Sequence, residues 1–295
     1  MPFADTSLRD EYAAAVERVA GRVLDALPGG GGPAAPARPD DGPPPPAVRA
    51  PDESPLSRAE LAAVRVLGPD AFAPALLDGR APDPTTALTA AQALDAFPAA
   101  TTDPARPETA LVAAWRDRST AQLLARAGRP TVAPSAEHVP APVPGPEQLG
   151  WPRWSVVMAQ LSALALPGLD GAVHELARRH DLALARGAVR SMIRRDHRTA
   201  ARLARWLART AADGVPPRLE LAPVIDRIRL AGDGSARTAL DLAIAERLWK
   251  ERPLSEGPMR GGPAGRGLPG EVLPGESLSG EGLPGGAAGP YGAPG

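Results

Sequence analysis

The chain has 295 residues, a net charge of −1, 37 prolines, 31 glycines and no cysteine. A charge this close to neutral gives no general attraction to nucleic acid or to an anionic membrane, and the lack of cysteine excludes disulfides and thiolate metal sites. Proline and glycine this abundant, beside an apolar fraction rich in alanine, indicate low-complexity segments next to a smaller folded part. No apolar run is long enough to span a membrane. The N-terminus lacks a signal-peptide pattern, so a cytoplasmic protein is predicted.

Helical spacing of apolar residues alternates along the chain with runs of proline and glycine. This alternation predicts an all-α protein, either a small helical bundle or a short helical-hairpin array, with extensive disordered linkers and a disordered tail. The predicted segments are an amphipathic N-terminal helix at 1–27, a disordered Pro/Gly linker at 28–55, a helical segment at 56–128, a Pro-rich linker at 129–150, a helical core domain at 151–252 and a low-complexity tail at 253–295.

The first helix is predicted from Leu8 to Leu27, with Ser7 and Asp10 resembling a capping box. A lone helix of this length is marginal in water. We therefore expect it to dock, either on the rest of the chain or on a partner.

The segment at 56–128 opens with a clearer capping box, Ser57 with Glu60, and Gly68 is expected to close that helix. A weaker helix is predicted at about 86–97. A longer one is predicted to start at Pro107, because proline is favoured at the first helical position.

The segment at 151–252 has the composition best suited to a core, because it contains four of the five tryptophans and relatively few Pro/Gly clusters. Trp206 is expected to be buried. The last helix is expected to begin after Ser235 and to carry Leu240, Ile244 and Leu248 on one side.

Arginines dominate the stretch from 171 to 210, where there are ten arginines and three acidic residues. On a continuous helix the arginines from 190 to 209 share one arc, which would form a surface for phosphates or acidic groups. The alternative is a solvated helix face filled with arginine by the codon bias of a GC-rich genome. The candidate partner-binding residues are Arg198, Arg202, Arg205 and Arg209.

Asp196 argues against a continuous helix, because it would place a carboxylate in the middle of the apolar arc. The simpler interpretation is that the chain breaks there and Asp196 caps a new helix. The same interpretation applies at Asp181. The two segments would then form a helical hairpin, as in a helical repeat.

The tail repeats a Leu-Pro-Gly-Glu pattern every five residues from Gly267 onward. One leucine in five residues cannot form a core, so we expect turn-biased disorder. Repeated units of this kind favour weak, multivalent binding.

Searches for catalytic and metal motifs identify no candidate site. His174-Glu175 begins like the zinc motif H-E-x-x-H, but Arg178 occupies the position of the second ligand. His180-Asp181 resembles the paired ligands of helical HD-type phosphohydrolases, a two-residue match that chance would produce. No catalytic residue, cofactor or metal is therefore predicted.

The favoured hypothesis is a non-enzymatic cytoplasmic scaffold that binds protein partners through a helical core and flexible arms. The alternatives are a regulatory binder of nucleic acid or of an acidic partner through the arginines, with nucleic acid the less favoured ligand, and an enzyme of unrecognised type. No membrane partner is expected.

Overall fold

The computed structural model describes residues 3–27, 56–98, 107–129 and 140–253, and within these ranges every regular element is helical. The α-helices are α1 (Phe3–Asp25), α2 (Arg58–Leu67), α3 (Ala73–Leu77), α4 (Pro84–Ala96), α5 (Pro107–Arg126), α6 (Pro146–Leu149), α7 (Trp151–Gln160), α8 (Ala172–Arg179), α9 (Asp181–Ile193), α10 (His197–Ala212), α11 (Leu221–Ala231) and α12 (Ala236–Glu251). Two 3₁₀ helices lie at Gly68–Phe72 and Ser162–Leu164. The all-α prediction is confirmed for these ranges.

Several helix ends follow the local signals in the sequence. Both halves of the Ser57–Glu60 capping box form, and Gly68 caps the end of α2 with a φ of 57°, a conformation that favours glycine. Ser235 caps α12 by accepting a hydrogen bond from the backbone of Thr238. These short-range interactions fix where α2 and α12 begin.

The chain breaks at Asp196, as predicted. The Asp196 carboxylate accepts a hydrogen bond from the backbone N–H of Thr199 at 3.0 Å and caps α10. A second break falls at His180, directly before α9. The predicted cap at Asp181 is wrong, because Asp181 is the first residue of α9 and the helix begins without a side-chain cap. Helices α9 and α10 pack against each other, which gives the expected hairpin.

The N-terminal helix starts earlier than predicted. Helix α1 begins at Phe3, so Ser7 lies inside it and the predicted Ser7–Asp10 capping box is wrong. Helix α1 packs on α2 and α12 and buries Val19 and Val23. The Glu17 carboxylate accepts a 2.6 Å hydrogen bond from the backbone of Ala236, at the positive end of the α12 dipole.

One hydrophobic core extends through the described helices, from Ala15 in α1 to Trp249 in α12. The 3₁₀ helix at 68–72 packs on the one at 162–164, and α5 packs on α7. The segments at 56–128 and 151–252 therefore contribute side chains to the same core. Trp206 is fully buried, as expected, and its indole N–H donates to the Met158 carbonyl at 2.8 Å.

The second half of the predicted linker at 129–150 packs on the folded unit. Val143 is buried, the carbonyl of Ala141 accepts from the Trp115 indole at 3.0 Å, and α6 follows. The linker at 28–55, residues 130–139 and the tail beyond Pro253 lie outside the described residues, and their predicted disorder remains a prediction.

Candidate functional site

The four arginines predicted to bind a partner do not share one surface. Arg198 is exposed, whereas the side chains of Arg202 and Arg209 are 20% and 12% exposed and Arg205 is completely buried. The arc of arginines on α10 therefore runs from solvent into the protein. The assumption that all four face a solvent-accessible surface is wrong for Arg205, because acidic residues from distant parts of the chain surround its guanidinium.

Arg205 is part of a buried ion network that we call the arginine–aspartate cluster, formed by Asp70, Arg205, Arg237 and Asp241 with Arg116 and Arg202 at its edge. Asp70 lies 2.5 Å from guanidinium nitrogens of both Arg205 and Arg237. Asp241 lies 3.1 Å from Arg205. Asp70, Asp241 and Arg205 have no solvent exposure, so these charges interact in a low dielectric.

The cluster joins the two halves of the chain. Asp70 comes from the 3₁₀ helix after α2, Arg205 from α10, and Arg237 and Asp241 from α12. Arg205 also donates to the carbonyl of Ala165 at 3.2 Å. The charges therefore specify how the N-terminal helices pair with the C-terminal ones.

The electrostatics of the cluster are uneven. Burial raises the pKa of Asp70, but the guanidiniums of Arg205 and Arg237 outweigh burial and lower that pKa to about 2. Arg116 shows the opposite situation: burial, together with the nearby charges of Arg237, Arg65 and Arg202, lowers its pKa to about 10. Asp70 and Asp241 each lie beside arginines that balance their negative charge, whereas Arg116 forms no ion pair among the described residues.

A second feature is the exposed side of α9, which we call the α9 face: Leu182, Arg186, Val189 and Ile193. At 100° per residue these four positions lie within an arc of about 60°. Leu182, Val189 and Ile193 are 47%, 43% and 77% exposed. A continuous helix through Asp196 would place Val189 and Ile193 on its apolar side, but both are exposed.

The surroundings of the α9 face are basic. Arg186, Arg194 and Arg195 are exposed, and within the described ranges no carboxylate forms an ion pair with any of them. Arg190 lies beside the face with its guanidinium 5.8 Å from the centre of the Trp151 ring. The nearby acid Asp181 is paired with Arg218 at 3.0 Å, so it does not offset these charges.

His174 and His180 each pack against a tryptophan. Nε2 of His174 lies 2.9 Å from the carbonyl oxygen of Leu164, which can only accept, so this nitrogen carries the proton. Burial lowers the pKa of His174, which favours the neutral ring, and the ring packs edge-on against Trp206. His180 packs edge-on against Trp154. Among the described residues, no group of three or more His, Asp or Glu side chains is arranged to hold a metal.

Comparison with protein-family models, with curated proteins and with solved structures finds no match to this chain. Across the described part of the chain, none of the helices has both the length and the apolar content needed to cross a membrane.

Proposed function

We propose that this is a non-enzymatic interaction protein whose helical unit binds an acidic protein partner through the α9 face. The observation that carries the proposal is the row of Leu182, Val189 and Ile193, three aliphatic side chains exposed on one side of a well-packed helix. Cytoplasmic localisation remains a prediction from the sequence.

The size and chemistry of the α9 face suit a protein segment. From Leu182 to Ile193 the helix rises about 16.5 Å, which is three turns and enough to pair with an amphipathic helix of the partner. Apolar side chains at the centre of an interface with charges at its rim are the usual arrangement. Arg186, Arg194 and Arg195 form no ion pair within the described ranges, so acids on the partner would complement them.

The exposed aliphatic side chains of the α9 face favour a protein partner over a nucleic acid. Nucleic-acid surfaces reward contacts to phosphates and stacking on bases, and three exposed aliphatic side chains supply neither. Arg198 is the exposed member of the arginine set predicted from the sequence, and it lies on α10, outside the α9 face. The Leu-Pro-Gly-Glu units of the tail remain, on sequence grounds, additional weak binding segments.

Site-specific photo-crosslinking of the full chain in cells tests the proposal. A crosslinking residue is introduced at Val189, and a matched one at Leu230, which is 84% exposed on α11. We expect one dominant adduct from position 189 and none from 230. Mass spectrometry should locate the attachment in a segment rich in Asp and Glu.

The partner identified by crosslinking is then produced as a recombinant protein, and its affinity for the chain and for variants of the chain is measured. Ile193→Asp and Arg186→Glu should each weaken binding about tenfold or more, because the first places a charge in the apolar row and the second reverses a charge that attracts the acidic partner. The controls Leu230→Asp and Arg227→Glu make the same changes on exposed positions of α11 and should leave affinity unchanged. A partner segment without excess acid would refute the proposal. Submicromolar binding of duplex DNA or RNA near physiological salt, lost in Arg186→Gln, would replace it with nucleic-acid binding.

A further inference from the structure

The arginine–aspartate cluster contains buried polar atoms that make no hydrogen bond. The acceptors among them are Oδ2 of Asp241 and both carboxylate oxygens of Asp70, although Asp70 lies within ion-pair distance of Arg205 and Arg237. Among the described residues, Nε of Arg116, Nε of Arg202 and Nη1 of Arg237 are buried and make no hydrogen bond. The Arg237 side chain is only 6% exposed, so water does not solvate it freely. Buried N–H groups without a partner are rare in folded proteins and costly.

A neighbouring carboxylate lies close to the unbonded Nε of Arg202. Its Nε lies 3.6 Å from Oδ2 of Asp241, an oxygen that also makes no hydrogen bond. This distance is too long for a direct hydrogen bond, so Nε of Arg202 remains able to donate to another group. Nothing comparable is available to Arg116 among the described residues, since it makes no ion pair there.

The charge count shows the same imbalance. Among the buried members, Arg205 and Arg237 balance Asp70 and Asp241, so the two further positive charges belong to Arg116 and Arg202, which are partly exposed at the edge. Glu17, which lies near Arg237, reduces the excess to one. The unpaired positive charge therefore lies at the partly exposed edge of the cluster, where it can attract an anion from solvent.

Access to this excess charge follows the arginines of α10. Arg198 is exposed, Arg202 is one-fifth exposed, and Arg205, one turn further, is fully buried. The three positions span about 10.5 Å along the helix. Positive charge therefore lines a route from solvent to the edge of the cluster, where an anion would be attracted inward.

We propose that the edge of the arginine–aspartate cluster binds a small tetrahedral oxyanion, with the chemistry of phosphate or sulfate, held by Arg116, Arg202 and Arg237. These arginines come from α5, α10 and α12. A tetrahedral anion has oxygens in several directions and can therefore accept hydrogen bonds from arginines on all three helices. The two N–H groups of a guanidinium also match the spacing of phosphate oxygens. This site is separate from the α9 face and does not rest on the proposed function.

Isothermal titration calorimetry of the full chain with inorganic phosphate tests the proposal. The protein is first dialysed into phosphate- and sulfate-free buffer, and ionic strength is matched with chloride. We expect saturable binding of one phosphate with a dissociation constant below about 1 mM. Phosphorus NMR line broadening on the same sample should saturate in parallel. Titration with ATP then shows whether the oxyanion is free phosphate or the phosphoryl group of a larger ligand.

Arg116→Gln is the decisive variant. It should weaken phosphate binding about tenfold or more, since charged hydrogen bonds are lost. Without phosphate it should be about as stable as the unmodified protein, because Arg116 is partly exposed and makes no ion pair among the described residues. Arg129→Gln, an exposed position just after α5, removes the same charge and should change neither property.

Three outcomes would overturn the proposal. One is the absence of saturable heat and line broadening up to about 10 mM phosphate. Another is equal phosphate binding by Arg116→Gln, Arg129→Gln and the unmodified chain. The third combines two results: Arg116→Gln fails to fold, and Arg202→Gln folds and binds phosphate normally. Arg116 would then have a structural role, and Arg202 would not be a phosphate ligand.

Discussion

Arg205→Met tests whether the buried ion network stabilises the fold. Methionine keeps an unbranched chain with helix propensity close to that of arginine, so α10 itself should form. The substitution removes a guanidinium from Asp70 and Asp241 at once and leaves the carbonyl of Ala165 without its 3.2 Å partner. Among the buried members, Asp70 and Asp241 are then left with Arg237 as their one cation, while Arg202 beside Asp241 is 20% exposed.

The expected cost follows from these losses. Removing one member of a buried ion pair typically costs about 3–5 kcal/mol. An orphaned buried carbonyl adds about 1–3 kcal/mol, part of which the first figure already contains. We therefore expect the free energy of unfolding to fall by about 4–6 kcal/mol at neutral pH. That is a large share of the roughly 5–15 kcal/mol by which domains are stable.

Urea unfolding followed by far-UV circular dichroism measures the change. Arg198→Met is the matched control on the same helix and should cost less than about 0.5 kcal/mol, because Arg198 is exposed. Combining Arg205→Met with Asp241→Asn should cost less than the sum of the two single changes, because the residues are coupled. A loss below about 1 kcal/mol for Arg205→Met would refute the view that this network holds the helices together.

Three further predictions concern other contacts. Because the pKa of Asp70 is lowered to about 2, its stabilisation is present above its ordinary pKa of 3.8 and lost as pH falls between these values, so Asp70→Asn should flatten the acid limb of a pH–stability curve. Trp206→Ala should cost about 3–5 kcal/mol in urea unfolding, because the ring is fully buried and hydrogen-bonded, and a loss below about 1 kcal/mol would contradict that burial. Gly187→Ala should cost about 1–3 kcal/mol in the same assay, because a Cβ there would lie 2.5 Å from Cβ of Ser155 where α9 crosses α7; an unchanged midpoint would show that the crossing adapts.

Local interactions were readable from the sequence. The capping box at Ser57, the cap at Ser235 and the break at Asp196 each depend on residues a few positions apart, and the structure confirms all three. The hairpin of α9 and α10 follows from the break. The capping box at Ser7 failed because helix α1 begins further upstream.

The candidate sites depended on contacts that spacing alone does not reveal. Arg205 has the same periodic position as an exposed arginine, and it is buried because Asp70, 135 residues earlier in the chain, reaches it. One signal was present. Asp241 stands beside the apolar positions Leu240 and Ile244, so the argument that identified the break at Asp196 would have marked Asp241 as paired inside the protein.

The α9 face also shows the difference between what the sequence predicts and what the tertiary structure determines. Periodicity places Leu182, Val189 and Ile193 on one side of the helix, together with Arg186, but it does not say whether that side meets protein or solvent. Packing of α9 on α7 and α10 uses the opposite side, through Gly187 and Leu184. The sequence thus determined the helices and their caps, because backbone hydrogen bonds and capping act over a few residues. Only the tertiary structure decided which faces are covered, because burial depends on segments far apart in the chain.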